Sequence, residues 1–261
     1  MKFAKKSLGQ NFLVDKNIIR KIINTVKIEN RNIIEIGPGH GALTKEILKL
    51  KPKSLSVIEK DFELFSELQL KYKHNKKINV FNNDILKFDL RKVLKNKLII
   101  FGNLPYNISS QILIKIIKFN KFDSMIDDMI FMFQKELGEK IICQFPSKQY
   151  GRLSIISNYK LAIKEMFLVS PNCFFPKPKV NSMVIHFKPK RKFTFIKNLS
   201  SLERVTNILF SNKRKMINKN LKKLLSQNDI KKLKDINLKS RPSEIEPNTY
   251  YKIVKIYEAQ K

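Results

Sequence analysis

The chain has few residues of the kinds that build metal sites and disulfide frameworks. Its 261 residues include no tryptophan, two cysteines and three histidines. Cys143 and Cys173 are too few and too far apart for a disulfide framework or a zinc site. The histidines do not have the spacing of metal ligands either, since they lie at His40, His74 and His186. We therefore expect a protein without a bound metal, from a reducing compartment such as the cytoplasm.

Long apolar runs and acidic residues are also scarce. No apolar run approaches the ~18 residues of a transmembrane helix, and the basic first residues are not followed by the apolar stretch of a signal peptide. These absences predict a soluble protein that neither spans a membrane nor is secreted. Lysine and arginine number 53 against 22 acidic residues, which gives a net charge of +31. Such an excess favours a polyanionic partner, above all a nucleic acid.

Short apolar runs alternate with amphipathic segments between residues 30 and 190, the pattern of a parallel sheet covered by helices. This pattern predicts an α/β domain over residues 1–190. The predicted strands are 32–36, 54–59, 78–82, 97–102, 126–133, 163–169 and 181–188. The predicted helices are 16–26, 42–50, 61–73, 109–119, 134–144 and 151–159. The last two strands flank the proline-rich segment 171–178, which suggests a rigid loop between antiparallel neighbours.

After residue 190 helical patterns continue to the end of the chain, which predicts a small all-α second domain over 191–261. Near its centre, apolar residues recur at helical spacing between lysines, which predicts a basic amphipathic helix. These apolar residues are Met216, Ile217, Leu221, Leu224 and Leu225. Such a helix suits a solvated face over a small core, a membrane surface or a nucleic-acid contact. The charge of the whole chain favours the nucleic acid. The residues expected to contact it are Lys213, Arg214, Lys215 and Lys219.

A glycine-rich turn after the first long strand predicts a cofactor site. Gly37 and Gly39 stand between this strand and a helix, where glycine lets a cofactor approach the backbone and helix amides favour an anionic group. The same turn satisfies a loose dinucleotide fingerprint, so an NAD enzyme is an alternative. Glu59, at the end of the next strand, is suited to accept ribose hydroxyl groups from either cofactor.

Two features favour S-adenosylmethionine over NAD. The strand at 78–82 leads to Asp84, which can accept a hydrogen bond from the amino group of adenine while Ile85 packs on the ring. The fourth strand does not end in the proton-relay residue that a dehydrogenase needs beside a nicotinamide.

The fourth strand ends instead in Asn103, Leu104, Pro105 and Tyr106, where open α/β sheets bind their ligands. Asn103 offers a side-chain carbonyl, Pro105 stiffens the turn, and Tyr106 offers a ring face. This set suits the exocyclic amino group of a nucleic-acid base. A proline turn with a half-buried tyrosine is the purely structural alternative.

Several motifs occur in the order in which one family carries them, and they span essentially the whole chain. The chain resembles the ribosomal RNA adenine N6,N6-dimethyltransferases, and is most similar to those that modify the small subunit. The motifs are KSLGQNFL at 6–13, EIGPG at 35–39, VIE at 57–59, ND at 83–84, GNLPYNIS at 102–109, QKE at 134–136, YGRLS at 150–154 and FFPKPKV at 174–180.

The resemblance implies a Rossmann-like, seven-stranded methyltransferase sheet with a small all-α C-terminal domain. It also implies that the N-terminal segment folds over S-adenosylmethionine. The residues implied to bind this donor are Asn11 and Leu13, Gly37 and Gly39 at its methionine end, Glu59 at the ribose, Asp84 and Ile85 at the adenine, and Asn103 between donor and target. Because the donor already carries a sulfonium, the reaction needs no metal.

The target nitrogen is a poor nucleophile because its lone pair is delocalised into the adenine ring. The Asn103 side-chain oxygen and the carbonyl of Leu104 or Pro105 are suited to hold its two hydrogens, which makes the nitrogen more pyramidal. A base flipped out of its stack also needs aromatic faces. Tyr106 is one expected face, and Phe174 is the other.

For the second aromatic face, Phe175 is the rival residue. In the family pattern, the distance of this aromatic residue from the valine that ends the motif matches the distance from Phe174 to Val180, which favours Phe174.

The function implied is dimethylation of two adjacent adenosines near the 3′ end of 16S rRNA, in an assembling small ribosomal subunit, by a monomeric enzyme. The branch that modifies large-subunit RNA is a close alternative, but the fuller FFPKPKV segment and the basic C-terminal helix favour the small subunit. A ribosome-assembly factor whose main role is binding is a second alternative. A DNA adenine methyltransferase is a third, disfavoured because Leu104 stands where its motif has proline.

Overall fold

The computed structural model describes residues 4–5, 8–93, 97–119, 122–190, 196–233 and 236–260. Its strands are β1 (Phe12–Leu13), β2 (Asn32–Ile36), β3 (Ser54–Glu59), β4 (Ile78–Asn82), β5 (Leu98–Asn103), β6 (Ile126–Gln134), β7 (Leu161–Val169), β8 (Phe174–Phe175) and β9 (Ser182–Pro189). Its α-helices are α1 (Lys16–Ile23), α2 (Ala42–Lys49), α3 (Phe62–Lys71), α4 (Ser109–Ile117), α5 (Phe122–Met125), α6 (Lys135–Ile142), α7 (Arg152–Lys160), α8 (Leu199–Leu209), α9 (Asn218–Leu221), α10 (Gln227–Lys231) and α11 (Pro247–Ala259).

Seven of these strands form one sheet in the order β4-β3-β2-β5-β6-β9-β7. The strands from β4 to β6 in this order are parallel, and β9 pairs antiparallel with β6. All of β2 is buried, as expected for a central strand covered on both faces. Because β2 has β3 on one side and β5 on the other, the chain order reverses there. Ligands bind at such a point, beyond the carboxyl ends of the strands.

The predicted α/β fold with seven strands in one sheet is confirmed, and each predicted strand begins and ends within two residues of an observed one. The sequence patterns missed β1 and β8, because strands of two residues have too little alternation to detect. These two strands pair antiparallel, with Phe12 opposite Phe175 and Leu13 opposite Phe174. This ribbon brings the N-terminal segment beside the proline-rich segment.

The contacts divide the chain into two compact units, one made of residues 1–138 and 162–189 and the other of residues 139–161 and 190–261. The second unit therefore includes α7 as well as the C-terminal helices, whereas the sequence analysis placed the boundary after residue 190 alone. That simpler boundary stays a prediction.

Buried tyrosines organise the second unit. The hydroxyl of Tyr251 donates to the carbonyl of Ile155 at 3.0 Å, and the Tyr250 ring stacks on Phe210 with 5.7 Å between ring centroids. Burial raises the pKa of both tyrosines. Their rings thus fill the core while each hydroxyl keeps a hydrogen-bond partner, since Tyr250 donates to the carbonyl of Pro242.

The prediction of a basic amphipathic helix that carries Lys213, Arg214 and Lys215 is wrong. The α-helix there covers only Asn218–Leu221, after a 3-10 turn at Phe210–Asn212. The backbone N–H of Ile217 donates to the carbonyl of Ser240 at 3.0 Å instead of to a carbonyl one turn earlier. The apolar periodicity indicated burial correctly, since Ile217 is fully buried. A hydrogen bond to a distant segment replaced the helical one.

Candidate donor and target site

One cavity of about 710 Å³ lies at the carboxyl ends of β2, β3 and β5. This volume is within the usual range for small-molecule sites. Most residues that the sequence analysis assigned to donor and target base line it. They are Asn11, Leu13, Gly37, Gly39, Glu59, Asp84, Ile85, Asn103, Leu104, Pro105 and Tyr106. The fold therefore brings them together, while the role of each stays a prediction.

The glycine-rich turn after β2 forms one wall of the cavity. Gly39 has a φ of +57°, and a β-carbon there would lie 2.7 Å from the ring of Phe12. Glycine is therefore required both by the backbone conformation and by the close approach of Phe12. The backbone N–H of Gly39 also donates to Glu59 at 3.2 Å, which joins the turn to the end of β3.

Two buried carboxylates, Glu35 and Glu59, line the cavity. Burial raises the pKa of Glu59, and hydrogen bonds from the backbone of Asp61 and Gly39 oppose this rise. Burial also raises the pKa of Glu35 to about 7, against the hydrogen bond from Thr44 and with a contribution from the charge of Glu59. A cationic ligand suits this wall, because it offsets the repulsion between the two acids.

The turn after β4 holds Asp84 and Ile85 at the cavity. One Asp84 oxygen accepts from the backbone N–H of Leu86 at 2.9 Å, and the other forms an ion pair with Lys60 at 3.0 Å. Partial burial opposes ionisation of Asp84, but these two hydrogen bonds outweigh it and lower the pKa. Asp84 is therefore an ionised hydrogen-bond acceptor at the cavity.

The N-terminal segment is held on the cavity by contacts that the sequence analysis missed. Asp61, which caps α3, accepts a hydrogen bond from the Gln10 side chain at 3.0 Å. It also forms an ion pair with Lys5 at 3.0 Å. Asp61 is buried, whereas the side chain of Lys5 is 42% exposed, so the ion pair lies at the protein surface. The available signal was the position of Asp61 just before a helix, but no local pattern connects it with Gln10.

Asn103 ends β5 and is anchored by a long-range hydrogen bond. Its side-chain nitrogen donates to the backbone carbonyl of Asn11 at 2.9 Å. Since a carbonyl only accepts, the amide nitrogen must face Asn11, and the side-chain oxygen points the other way across the planar amide. The residue thus presents an acceptor in a determined direction.

The turn that follows Asn103 is also held in place. The Pro105 carbonyl accepts from the backbone N–H of Ile108 at 3.2 Å, and the Tyr106 hydroxyl is 2.5 Å from the hydroxyl of Ser182. Burial raises the pKa of Tyr106, and the hydrogen bond to Ser182 opposes this. The tyrosine is therefore neutral and its ring cannot rotate freely.

Phe174 does not line the cavity with the other predicted residues. It is 4% exposed and belongs to the hydrophobic core together with Leu13. Phe175, on the opposite face of β8, is 53% exposed. The burial follows from the alternation of side chains along a strand, which sends one of two consecutive residues inward.

The basic residues assigned to RNA lie in the second unit. Lys213, Arg214, Lys215 and Lys219 are all exposed. The first three occupy the turn before α9 and are not part of an α-helix.

Within the described part of the chain, no group of three or more His, Cys, Asp and Glu residues is arranged to hold a metal ion. The same residues contain no helix that is long and apolar enough to cross a membrane.

Comparison with known proteins decides the family. Residues 1–259 match the family described as ribosomal RNA adenine dimethylase. The chain belongs to this family. It is 43% identical over 256 residues to ribosomal RNA small subunit methyltransferase A of Pelagibacter ubique, a match covering 98% of this chain and 97% of the relative.

Solved structures of methyltransferases share the fold of this dimethylase. A dimethyladenosine transferase from Plasmodium falciparum has a TM-score of 0.77 at 24% identity, covering 95% of this chain and 98% of that one. The 23S rRNA methyltransferase ErmE has a TM-score of 0.67 at 21% identity, covering 95% and 99%. The expected Rossmann-like methyltransferase fold is therefore confirmed, and the enzyme is a ribosomal RNA adenine dimethyltransferase.

Glu35 should make the stability of this enzyme depend on pH. An acid whose pKa is higher in the folded state than in the unfolded state stabilises the fold at pH values below its unfolded-state pKa. This stabilisation is lost as the pH rises, for Glu35 between pH 4.5 and about pH 7. Glu35→Gln keeps an acceptor for Thr44 and removes the charge. We expect the difference in free energy of unfolding between this variant and wild type to increase in favour of the variant by up to about 3 kcal/mol from pH 5 to pH 8. Urea denaturation at the two pH values measures this difference.

The exposed Glu29 provides the control. Glu29→Gln should show the same difference from wild type at both pH values. If Glu35→Gln behaves like this control, Glu35 is already ionised in the native protein at pH 5.

Proposed function

We propose that this enzyme transfers methyl groups from S-adenosylmethionine to N6 of two adjacent adenosines near the 3′ end of 16S rRNA. The substrate assignment is supported by the relative of Pelagibacter ubique, whose name specifies the small ribosomal subunit and which matches almost the whole chain. Similarity to the 23S enzyme ErmE extends only to the fold. We further propose that the enzyme acts as a cytoplasmic monomer on the assembling subunit.

The single observation that carries the chemistry is the anchored amide of Asn103. One N–H of this amide is bonded to the Asn11 carbonyl, which orients the side chain and leaves its oxygen as an acceptor for a ligand in the cavity that Asn103 lines. The Pro105 carbonyl already accepts from Ile108, which favours the Leu104 carbonyl as the second acceptor. Two acceptors that hold both hydrogens of an amino group favour a pyramidal nitrogen with an available lone pair.

The cavity also fits the proposed donor. Glu59 would accept the ribose hydroxyl groups, Asp84 the adenine amino group, and Ile85 would pack on the ring. The buried acids Glu35 and Glu59 match the positive charge of a sulfonium. When bound, S-adenosylmethionine supplies an activated methyl group, so the protein needs chiefly to hold the target nitrogen in line with it. Positioning of this kind can lower an activation barrier by roughly 7–11 kcal/mol.

Aromatic faces for the flipped adenine complete the proposal. Tyr106 lines the cavity, and its hydrogen bond to Ser182 holds the ring in place for stacking. We propose Phe174 as the second face on the basis of the family pattern. Its ring packs in the core, so this role requires the ring to turn outward on binding.

Asn103→Ala should lower the rate of transfer strongly without abolishing donor binding. Losing one positioned group of this type costs about 100-fold to 1,000-fold in turnover. Donor affinity, measured by calorimetry with S-adenosylhomocysteine, should change only a few-fold. Turnover is measured with labelled donor on under-methylated small subunits, with naked RNA and DNA as alternative substrates.

Asn228→Ala, at an exposed asparagine of α10, is the matched control and should behave as wild type. Turnover of Asn103→Ala within three-fold of wild type would remove Asn103 from the chemistry. If the variant loses transfer but restores subunit maturation in cells lacking the enzyme, binding is the more important cellular role. Primer extension across both ribosomal RNAs of such cells identifies the modified subunit.

Leucine replacements separate the two neighbouring phenylalanines. Phe174→Leu keeps an apolar side chain in the core but removes the flat ring, so turnover should fall at least 10-fold with little change in donor affinity. Phe175→Leu should leave turnover unchanged. The control is Phe62→Leu, at a phenylalanine of α3 that is 67% exposed. A loss of turnover in Phe175→Leu but not in Phe174→Leu would assign the base face to Phe175.

The basic turn of the second unit should contribute to RNA binding. Replacing Lys213, Arg214 and Lys215 by glutamine should weaken binding and lower the slope of log affinity against log salt, by about 0.7–0.9 for each lost phosphate contact. The control replaces three other exposed lysines of the unit, Lys231, Lys239 and Lys255. Equal slopes for wild type and the first variant would make this turn an ordinary solvated surface, and Lys219 would then be tested alone.

A further inference from the structure

The turn that carries Asp84 and Ile85 is closed by its own backbone on one side. The N–H groups of Lys87 and Phe88 both donate to the Asp84 carbonyl, at 2.9 and 2.8 Å. The N–H of Leu86 donates to the Asp84 side chain. These bonds satisfy the donors of the turn but leave the carbonyl groups of Leu86 and Phe88 in need of partners from another element.

Lys115 on α4 supplies the hydrogen bonds that these carbonyl groups require. Its ammonium group donates to Leu86 at 2.9 Å and to Phe88 at 2.7 Å. Lysine suits this position because its charged end has three donors and no acceptor, and its stem reaches several ångströms from the helix. One side chain thus ties the turn of the donor site to the helix that follows Asn103–Tyr106.

Lys115 lies in a partly buried environment. The side chain is half-buried, and burial lowers its pKa while the charges of Asp84 and Asp89 oppose this. The Phe88 ring packs edge-on against Phe81, with 5.4 Å between ring centroids. The turn is therefore held by an apolar contact as well as by the hydrogen bonds of Lys115.

We propose that Lys115 is a positioning residue for the adenine end of the donor site: by bonding the carbonyl groups of Leu86 and Phe88, it holds Asp84 where it reads the amino group of the donor's adenine. This rests on the proposed function for the identity of the donor. Lys115 touches neither donor nor target in this scheme and acts only through the turn.

The test is the selectivity of the full-length protein between two donor analogues, measured by calorimetry. S-Adenosylhomocysteine has the adenine amino group, and S-inosylhomocysteine has a carbonyl oxygen in its place. Wild type should prefer the first by about 10-fold or more, the size expected for one hydrogen bond to a charged group. In Lys115→Met this preference should fall below about 3-fold, mainly through weaker binding of the adenine compound. Lys115→Arg, which also carries several donors, should restore part of it.

Lys87→Met is the matched control, because Lys87 belongs to the same turn and is exposed. It removes the same charge but keeps the bonds from Lys115, so selectivity should stay at the wild-type value. Lys115→Gln, which keeps two N–H donors, replaces Lys115→Met if the latter does not fold, as judged by circular dichroism, and should show an intermediate preference.

Unchanged selectivity in a folded Lys115→Met protein, or equal loss in Lys87→Met, would overturn the positioning role. A wild type that binds both analogues equally would overturn it as well, while the donor assignment stands. A wild type that binds neither analogue would overturn the donor assignment together with it.

Discussion

A hydrogen bond between the Asn103 side chain and the Asn11 backbone is the constraint on which the site depends. It joins the end of a central strand to a segment 92 positions earlier in the chain. Because an amide has one donating and one accepting end, occupying the donor determines where the acceptor points. The Lys5 and Gln10 contacts to Asp61 and the ribbon of β1 with β8 hold the N-terminal segment for this purpose. Catalysis by positioning requires such rigidity, since errors of about 1 Å are costly.

The surface of the protein and its cavity carry charges of opposite sign. The chain carries an excess of basic residues, yet the buried charged groups at its cavity are acids, Glu35 and Glu59. A basic surface attracts RNA without regard to sequence, whereas buried acids favour a small cation and act over a short range. The excess of lysine is thus compatible with a site that binds a sulfonium, because water screens exposed charges far more than buried ones.

The turns that line the cavity are connected through the sheet and also through side chains. The turn after β4 and the helix after β5 meet at Lys115, and the turn after β2 meets the end of β3 at Glu59. Each connection satisfies backbone groups that would otherwise be buried without partners, which is costly in a protein interior. The same bonds that stabilise these turns therefore determine the shape of the cavity.

Much of this architecture could be predicted from the sequence. Runs such as 32–36 and 98–101 lie in parallel strands and are fully buried, so their hydrophobicity is easy to detect. The turns that follow them carried the residues that line the cavity, since parallel strands end at one edge. The predicted basic helix failed because the pattern of Ile217 and Leu221 reports burial, and burial is equally possible in a turn bonded to a distant segment.

The sequence by itself determined the fold class, the family and the edge of the sheet where the cavity lies, because these follow from local periodicity and contiguous motifs. Only the tertiary structure decided that Asn103 bonds to Asn11, that Gln10 bonds to Asp61, and that Phe174 faces the core while Phe175 faces outward. These contacts join residues that are far apart along the chain, or distinguish neighbours of one residue type. No local pattern encodes either, since both depend on how the separate elements pack.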